Sequence, residues 1–349
     1  MRDDWKIFLD NAGAEFTDER VNHFGNPIRE LRVVTTGSII SDLSHYGLIS
    51  VYGEDARTFL ANQFTNDINL VSPSIAQLNG YCTPKGRLLA TFYVFLRGDT
   101  FYLQLPRELV QPVIDRLRMF ILNSKVTLED ASDSLICMGV SSPDLEEQLF
   151  NQLAISYPEE DYRCTSTDKL TIIRLPGIFP RCIIIGEIND IKPVWSAADV
   201  NAAPVGTDAW DLTNIINGIP TITLATQELF VPQMANLDLI NGVSFKKGCY
   251  PGQEIVARTH YRGKLKRRMY LFHTPAEAAP LAGSDILVKE KEAEARKIGS
   301  VVIAKASAEG GFLLLAVAEI AAISQPETFF DDHNNAITLM ELPYTADTK

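Results

Sequence analysis

One cysteine in this chain sits where chemistry is possible. In Lys246-Lys247-Gly248-Cys249-Tyr250-Pro251-Gly252-Gln253-Glu254, Cys249 lies between a lysine pair and a Pro-Gly turn. Gly252 to Arg258 reads as the first turn of a helix and its continuation. A thiol at that place feels the positive end of the helix and two nearby ammonium groups, which favour thiolate over thiol. The plainer alternative is a small residue filling a tight corner.

The charge that follows argues for more than a corner. Between Lys246 and Arg268 stand eight basic side chains (Lys246, Lys247, Arg258, Arg262, Lys264, Lys266, Arg267 and Arg268) and one acid, Glu254, a net of +7 in a chain whose total is −12. An acidic protein that gathers positive charge in one stretch is expected to hold an anion there. Arg258, Arg262 and Lys266 also fall on one side at helical spacing, as a solvated face would, but such a face normally interleaves acids.

At 349 residues the chain exceeds one small core, so two or three domains are expected. Hydrophobic residues at 46% and charged residues at 22% exclude general disorder. The net charge of −12 argues against a dedicated DNA-binding protein. The charged start, Met1-Arg2-Asp3-Asp4-Trp5-Lys6, lacks a signal-peptide core, and the longest apolar run, Phe312 to Ile323, is interrupted by Glu319. Five scattered cysteines without C-x-x-C spacing, and five histidines without paired spacing, imply a reducing, cytoplasmic setting and no self-contained metal site.

The elements that must carry Cys249 can be read from periodicity. An amphipathic helix (Trp5, Phe8, Leu9, Ala12) and a polar connector fill residues 1–30. A β-α-β-β-α-β order then runs from the strand at Leu48 to the strand ending at Leu128, with a hairpin at Gly98-Asp99 and a helix over about Leu109 to Leu122. A similar order recurs: a strand at Leu135, a helix from Asp144 to Leu153, a hairpin around Pro176-Gly177 and a helix from Val194 to Val200. After a helix from Asp208 to Asn217 and an irregular stretch, five short strands from Met269 onward predict a small closed β domain. The expected fold is α+β: two split β-α-β, ferredoxin-like units plus a C-terminal β-barrel. The expected division is 1–30, the N-terminal helix and connector; 31–133, the first α+β unit, joined by 204–265; 134–203, the second unit; and 266–349, the barrel.

The segment Lys246 to Glu254 closely resembles the signature of the YgfZ family of folate-binding proteins, relatives of the glycine-cleavage T-protein. Phe230-Val231-Pro232-Gln233-Met234-Ala235-Asn236-Leu237 before it, Ala257-Arg258 and Arg262-Gly263 after it, and the earlier Gln63-Phe64-Thr65-Asn66-Asp67 and Cys82-Thr83-Pro84-Lys85-Gly86-Arg87 extend the resemblance over residues 40–349. The resemblance implies three domains around a central opening that binds tetrahydrofolate. It implies a role in assembling or maintaining iron–sulfur clusters in client enzymes, one of which modifies tRNA. The expected partners are folate and transiently bound iron–sulfur clients or cluster carriers; neither a membrane, nor DNA, nor direct tRNA contact is expected. Cys249 matches the family's functional cysteine. Tyr46 and Trp210 match two aromatic positions that line the folate site, with Tyr46 standing where a bacterial relative carries tryptophan. A flat ring suits a pterin; a core tryptophan on a helix is the other reading of Trp210. Lys247 and Tyr250 are expected neighbours of the pterin or the thiol, and Arg258, Arg262, Lys264 and Arg267 would attract a polyglutamate tail or an acidic partner surface.

The T-protein keeps an aspartate for proton transfer, and the matching positions here are Leu89 and Ala90, which cannot hold a proton. Asp67 is a possible substitute, but Thr65-Asn66-Asp67 equally well caps and turns a chain. Cys249 has three open roles: a transient cluster ligand, a redox thiol or a structural corner, since one thiolate cannot hold a cluster alone. His260, eleven residues on, is a remote candidate for a base. The leading reading is a folate-binding factor for iron–sulfur proteins. The alternatives are a folate-dependent aminomethyltransferase-like enzyme and a tRNA- or protein-binding adaptor using the basic stretch.

Overall fold

The computed structural model describes residues 1–261, 263–289, 295–325 and 328–345, which fold into two compact units. The first comprises Met1–Phe59, Asn69–Gln77 and Tyr93–Thr213; the second comprises Leu60–Ile68, Leu78–Phe92 and Asn214–Lys349. Mixed helix and sheet with a closed barrel at the C-terminal end is the α+β fold that the periodicity predicts.

The first unit contains a six-stranded sheet in the order Cys164–Ser166, Leu170–Leu175, Arg181–Gly186, Ile136–Ser141, Ile39–Asp42, Ala203–Val205. All its neighbours are antiparallel except the last pair. Helices Asp3–Asn11 and Ile188–Ala198 bury Trp5, Leu9, Ile191, Val194 and Trp195 in the core that covers this sheet. Trp5 meets Trp195 edge to face at 5.6 Å and donates its indole N–H to the buried Asp42 carboxylate at 2.8 Å. The periodic pattern predicts the second of these helices only from Val194, but it starts at Ile188 and runs through Pro193. The spacing of Ile191, Val194, Trp195 and Ala198 on one buried face outweighs the hydrogen bond that proline removes.

The same unit pairs Tyr46–Tyr52 with Thr100–Pro106 on one side and Thr127–Asp130 on the other. The Gly98-Asp99 hairpin forms as expected, with Gly98 at φ 60°. Helix Val110–Arg118 buries Val110, Val113, Ile114 and Leu117, and Pro112 falls in its first turn, where no intrahelical N–H is lost.

Residues 12–33 differ from the expected connector. Glu15–Thr17 and Arg20–His23 form a two-stranded ribbon turning at Asp18, φ 56°. Gly25-Asn26-Pro27, which reads as a breaker, also starts a helix: the Asn26 side chain accepts from the Arg29 N–H at 3.0 Å and Pro27 takes the first helical position of Pro27–Val33.

In the second unit the barrel closes with six strands where five are predicted, in the order Arg267–Thr274, Phe312–Glu319, Arg296–Ala306, Asp285–Lys289, Thr328–Phe330, Ala336–Met340. The unforeseen strand is three residues long, too short for an alternating pattern to stand out, and anchors itself through buried Phe329 against Phe272. Phe272, Ile286, Val301, Leu314 and Ile337 fill the barrel interior. Ahead of it, residues 217–252 are largely irregular yet substantially buried, leading into helix Gln253–Tyr261.

Replacing Trp5 by alanine opens a cavity and strips Asp42 of a donor. It should destabilise the protein by about 3–5 kcal/mol, read as a shift in the urea unfolding midpoint, whereas a change confined to a surface helix would move it by less than about 1 kcal/mol.

Candidate functional site

The helix begins at Gln253, as the sequence predicts, and Cys249 stands four residues ahead of it, exposed. The loop owes its shape to two glycines. Gly252 has φ 82° and Gly86 has φ 70°, and a β-carbon on Gly252 would come within 2.4 Å of the Thr83 carbonyl oxygen and 2.6 Å of Gly86 Cα. A side chain on either would be strained in conformation, and at Gly252 it would also clash with backbone. The segment 82–87 is itself a closed turn, with the Thr83 and Arg87 backbones bonded at 2.8 Å. Two motifs 160-odd positions apart are thus one packed object.

Lys247 turns inward from the same loop. Its ammonium donates to the carbonyl oxygens of Ala61 (2.6 Å) and Phe64 (2.5 Å), the end of helix Ala56–Ala61, and lies 4.9 Å from the Tyr250 ring centre. Burial lowers its pKa to about 8, Asp67 opposing the fall. The expected pair of ammonium groups flanking the thiol is therefore divided: Lys246 is exposed, and Lys247 anchors the loop to another segment. Tyr250 is buried, and burial raises its hydroxyl pKa. The other four thiols are not exposed: Cys82, Cys137 and Cys182 are buried and Cys164 is half-buried. Burial pushes all four up, Cys137 and Cys164 to about 12.

The flanking motif residues hold this assembly. Gln233 donates to the Val256 carbonyl at 2.6 Å, tying the helix down, and Asn236 donates to the Met269 carbonyl at 2.8 Å, tying the first barrel strand. Thr65 donates to the Gly242 carbonyl at 2.7 Å and accepts from Gly80, while Asn66 donates to Asn241 and Leu78 carbonyls. Thr65 and Asn66 are stitches between chain segments, the role that their capping chemistry allows.

The basic stretch is less free than its composition suggests. The helix ends at Tyr261, so Lys266 is not on the face of Arg258, and Arg262 lies outside the described residues. Arg258, Lys264 and Lys266 are exposed. Arg267 pairs with Glu319 at 3.1 Å, and Arg268, 7% exposed, grips Asp238 through both terminal nitrogens at 2.6 and 3.0 Å. Both acids come from outside the stretch, which is why a window count overstates its charge. His260 stacks on Phe245, with ring centres 3.7 Å apart.

In the first unit, Trp210 is 1% exposed. A β-carbon on Gly139 would stand 2.5 Å from its Cζ3, and the Arg181 guanidinium lies 5.8 Å from its ring. Its faces are covered by the chain, so the core reading of this tryptophan describes its present packing. Tyr46 is half-buried, donates to Asp211 Oδ1 at 2.9 Å and packs on His45, whose Nε2 is 3.1 Å from the same oxygen. Sequence reading missed Arg181, which is 1% exposed and bonded to Thr213 Oγ1 (2.6 Å) and the Pro176 carbonyl (2.7 Å). Burial lowers its pKa, and the hydroxyls of Tyr93, Tyr162 and Tyr46 are near enough to oppose that shift. The signal available was an arginine opening an otherwise apolar strand, Arg181–Gly186. Tyr93 Oη and His45 Nδ1 are buried without a hydrogen-bond partner among the described residues. A cluster with the buried Arg181, several phenols and two unmet polar atoms, and with Arg20 3.9 Å from Asp211, can receive a planar, multiply hydrogen-bonding molecule.

Leu89 and Ala90, at the positions matched to the T-protein acid, are 6% and 0% exposed on the strand Leu88–Arg97. Among the described residues, no three His, Cys, Asp or Glu side chains gather as a metal site, and no helix is long and apolar enough to cross a membrane.

The fold is that of the aminomethyltransferases: the glycine cleavage system aminomethyltransferase T from Bartonella henselae superposes with a TM-score of 0.79 over 97% of this chain and 96% of that one, at 15% identity. Residues 10–188 match the GCVT N-terminal domain. The "tRNA-modifying protein YgfZ" of Colwellia psychrerythraea is 29% identical over 87% of this chain and 92% of its own, and that of Shigella boydii is 28% identical over the same shares. The chain belongs to the GCVT N-terminal domain family and, within it, to the YgfZ family.

Brief treatment of the native protein with iodoacetamide should label Cys249 and leave the other four cysteines unmodified by peptide mass mapping; Cys249→Ser should take up no label until denatured. Lys247 is protonated more weakly when folded than when unfolded, so the folded state gains stability as pH rises through about 8 toward the unfolded value. The stability of the wild type relative to Lys247→Met should therefore increase between about pH 7 and about pH 10, measured by urea unfolding at each pH.

Proposed function

We propose that this protein binds tetrahydrofolate and supports the assembly or repair of iron–sulfur clusters in client enzymes in the cytoplasm, reaching tRNA modification only through such clients. The observation that carries the reading is Cys249, exposed on a loop fixed by Gly86, Gly252 and Lys247 while four other thiols are withdrawn. A single thiolate cannot hold a cluster, so it would act with ligands from a client, a carrier or a small thiol. Membership of the YgfZ family supports the same reading.

For the folate, the fit rests on the first unit. Tyr46 offers a half-exposed ring, Asp211 and Arg181 offer charged hydrogen-bonding groups, and Tyr93 Oη and His45 Nδ1 lack partners that a pterin's donors and acceptors would supply. Trp210 would support this cluster from below rather than stack, unless Arg181 moves from its face. Tetrahydrofolate is a one-carbon carrier, and Leu89 and Ala90 supply no group to move a proton for it. Exposed Arg258 and Lys264 of the second unit would draw an acidic surface of a client or carrier, each contact giving on the order of 0.2–1 kcal/mol, a collective and salt-sensitive effect.

Titration calorimetry with tetrahydrofolate should give saturable binding, weakened about tenfold in Tyr46→Ala once its fold is verified by circular dichroism. Trp210→Ala is a poor probe, because truncating so buried a ring costs about 3–5 kcal/mol of stability by itself. Cys249→Ala should retain folate affinity and lose the ability to sustain a cluster-dependent client. The absence of folate binding to the wild type removes the folate half of the reading. Turnover of an aminomethyl donor with tetrahydrofolate would replace it with the aminomethyltransferase alternative that the shared fold favours.

A further inference from the structure

Within the second unit, a cleft of about 1320 Å³ opens between the end of helix Gln253–Tyr261, the turn after it and the first barrel strand. Gln233 and Arg268 line it, 2% and 7% exposed. Arg268 spends its two terminal nitrogens on Asp238 and one of them also on the Gln233 carbonyl at 2.8 Å. Its Nε, on the side edge of the guanidinium, is buried without a partner among the described residues, and so is Gln233 Oε1, whose amide nitrogen is already given to Val256. Two residues that line the cleft thus each carry a buried polar atom, one donor and one acceptor, without a partner among the described residues. Lys264 and Lys266, also lining it, are exposed and have no ion pair with any described residue, while Glu319 is taken by Arg267 and Arg296.

We propose that this cleft binds a small organic oxyanion, a carboxylate or a phosphate, that carries an N–H or O–H beside its charge. The side edge of a guanidinium engaged end-on by one carboxylate is shaped to take a second oxyanion. Gln233 Oε1 accepts from the neighbouring donor. Lys264 and Lys266 raise the local concentration of anions at the entrance, an attraction that salt screens. The flat His260 ring, held against Phe245, bounds the ligand on one side. Two ligand types share this chemistry: a γ-glutamyl chain, with an amide N–H beside each carboxylate, and a sugar phosphate, with hydroxyls beside the phosphate. The site uses none of the residues of the first-unit cluster and does not depend on the folate reading.

The probes are tri-γ-glutamate and ribose 5-phosphate, neither of which contains a pterin, titrated into the full chain by calorimetry at low and high salt. One of them should bind saturably, with affinity reduced about tenfold in the Lys264→Glu/Lys266→Glu variant and with a shallower salt dependence there. Gln233→Glu, which puts a negative charge beside the oxyanion, should weaken binding further; if that variant does not fold, the doubly exposed lysine variant carries the test. Saturation by tri-γ-glutamate alone assigns a carboxylate ligand and by ribose 5-phosphate alone a phosphate ligand, and either supports the site. If neither probe saturates the wild type, or if the lysine variant binds as tightly as the wild type, the proposal is overturned.

Discussion

The backbone-to-backbone contact of Gly86 with Gly252 is the constraint on which the thiol loop depends. Two turns approach so closely that a β-carbon on Gly252 would meet main-chain atoms at 2.4 and 2.6 Å, distances that no rotamer change can relieve. The left-handed conformations that both residues adopt are available at little strain only to glycine. Once that contact is made, the helix after Gly252 has its direction, Tyr250 is turned inward and Cys249 is left at the surface. Lys247 completes the arrangement by capping carbonyl groups at the end of a helix 183 and 186 residues away in sequence.

Buried polar groups do the rest of the positioning. Gln233, Asn236 and Arg268 reach main-chain carbonyls that would otherwise be sealed from water, and Asp238 compensates the arginine that the packing encloses. Such an ion pair need not add net stability, because desolvation offsets most of the attraction, but removing either partner would leave a buried charge. It therefore fixes geometry: the first barrel strand can start in only one place relative to the loop before it. In the first unit Arg181 plays a comparable part among Tyr46, Tyr93, Tyr162 and Trp210, held by the Thr213 hydroxyl and the Pro176 carbonyl.

The fold of an aminomethyltransferase is kept over 97% of the chain, with Leu89 and Ala90 buried on the strand Leu88–Arg97. Accessible groups include the Cys249 sulfur on a loop constrained by two glycines, the half-buried Tyr46 ring and a cleft lined by lysines and arginines.

Much of this was legible in the residues. Helix Gln253–Tyr261 starts where the Pro-Gly turn requires it, the Gly98-Asp99 hairpin forms as its composition dictates, and the change of period after Met269 announces the barrel. Period and turn chemistry are local, and local rules act on neighbours in sequence. The short strand Thr328–Phe330 and the ribbon at Glu15–His23 escaped because a few residues hold too little periodicity to be recognised, and Pro193 hid a helix turn that only packing stabilises. The sequence by itself determined the types and positions of the reactive groups, including the cysteine ahead of the Pro-Gly turn and the apolar pair Leu89-Ala90. Tertiary structure alone decided their electrostatics: which lysine faces the thiol loop's exterior, that Glu319 and Asp238 quench two arginines, and that Trp210 lies covered by Arg181 and Gly139. Charge and burial depend on distance through space, and the partners that set them lie 29 to 186 residues away along the chain.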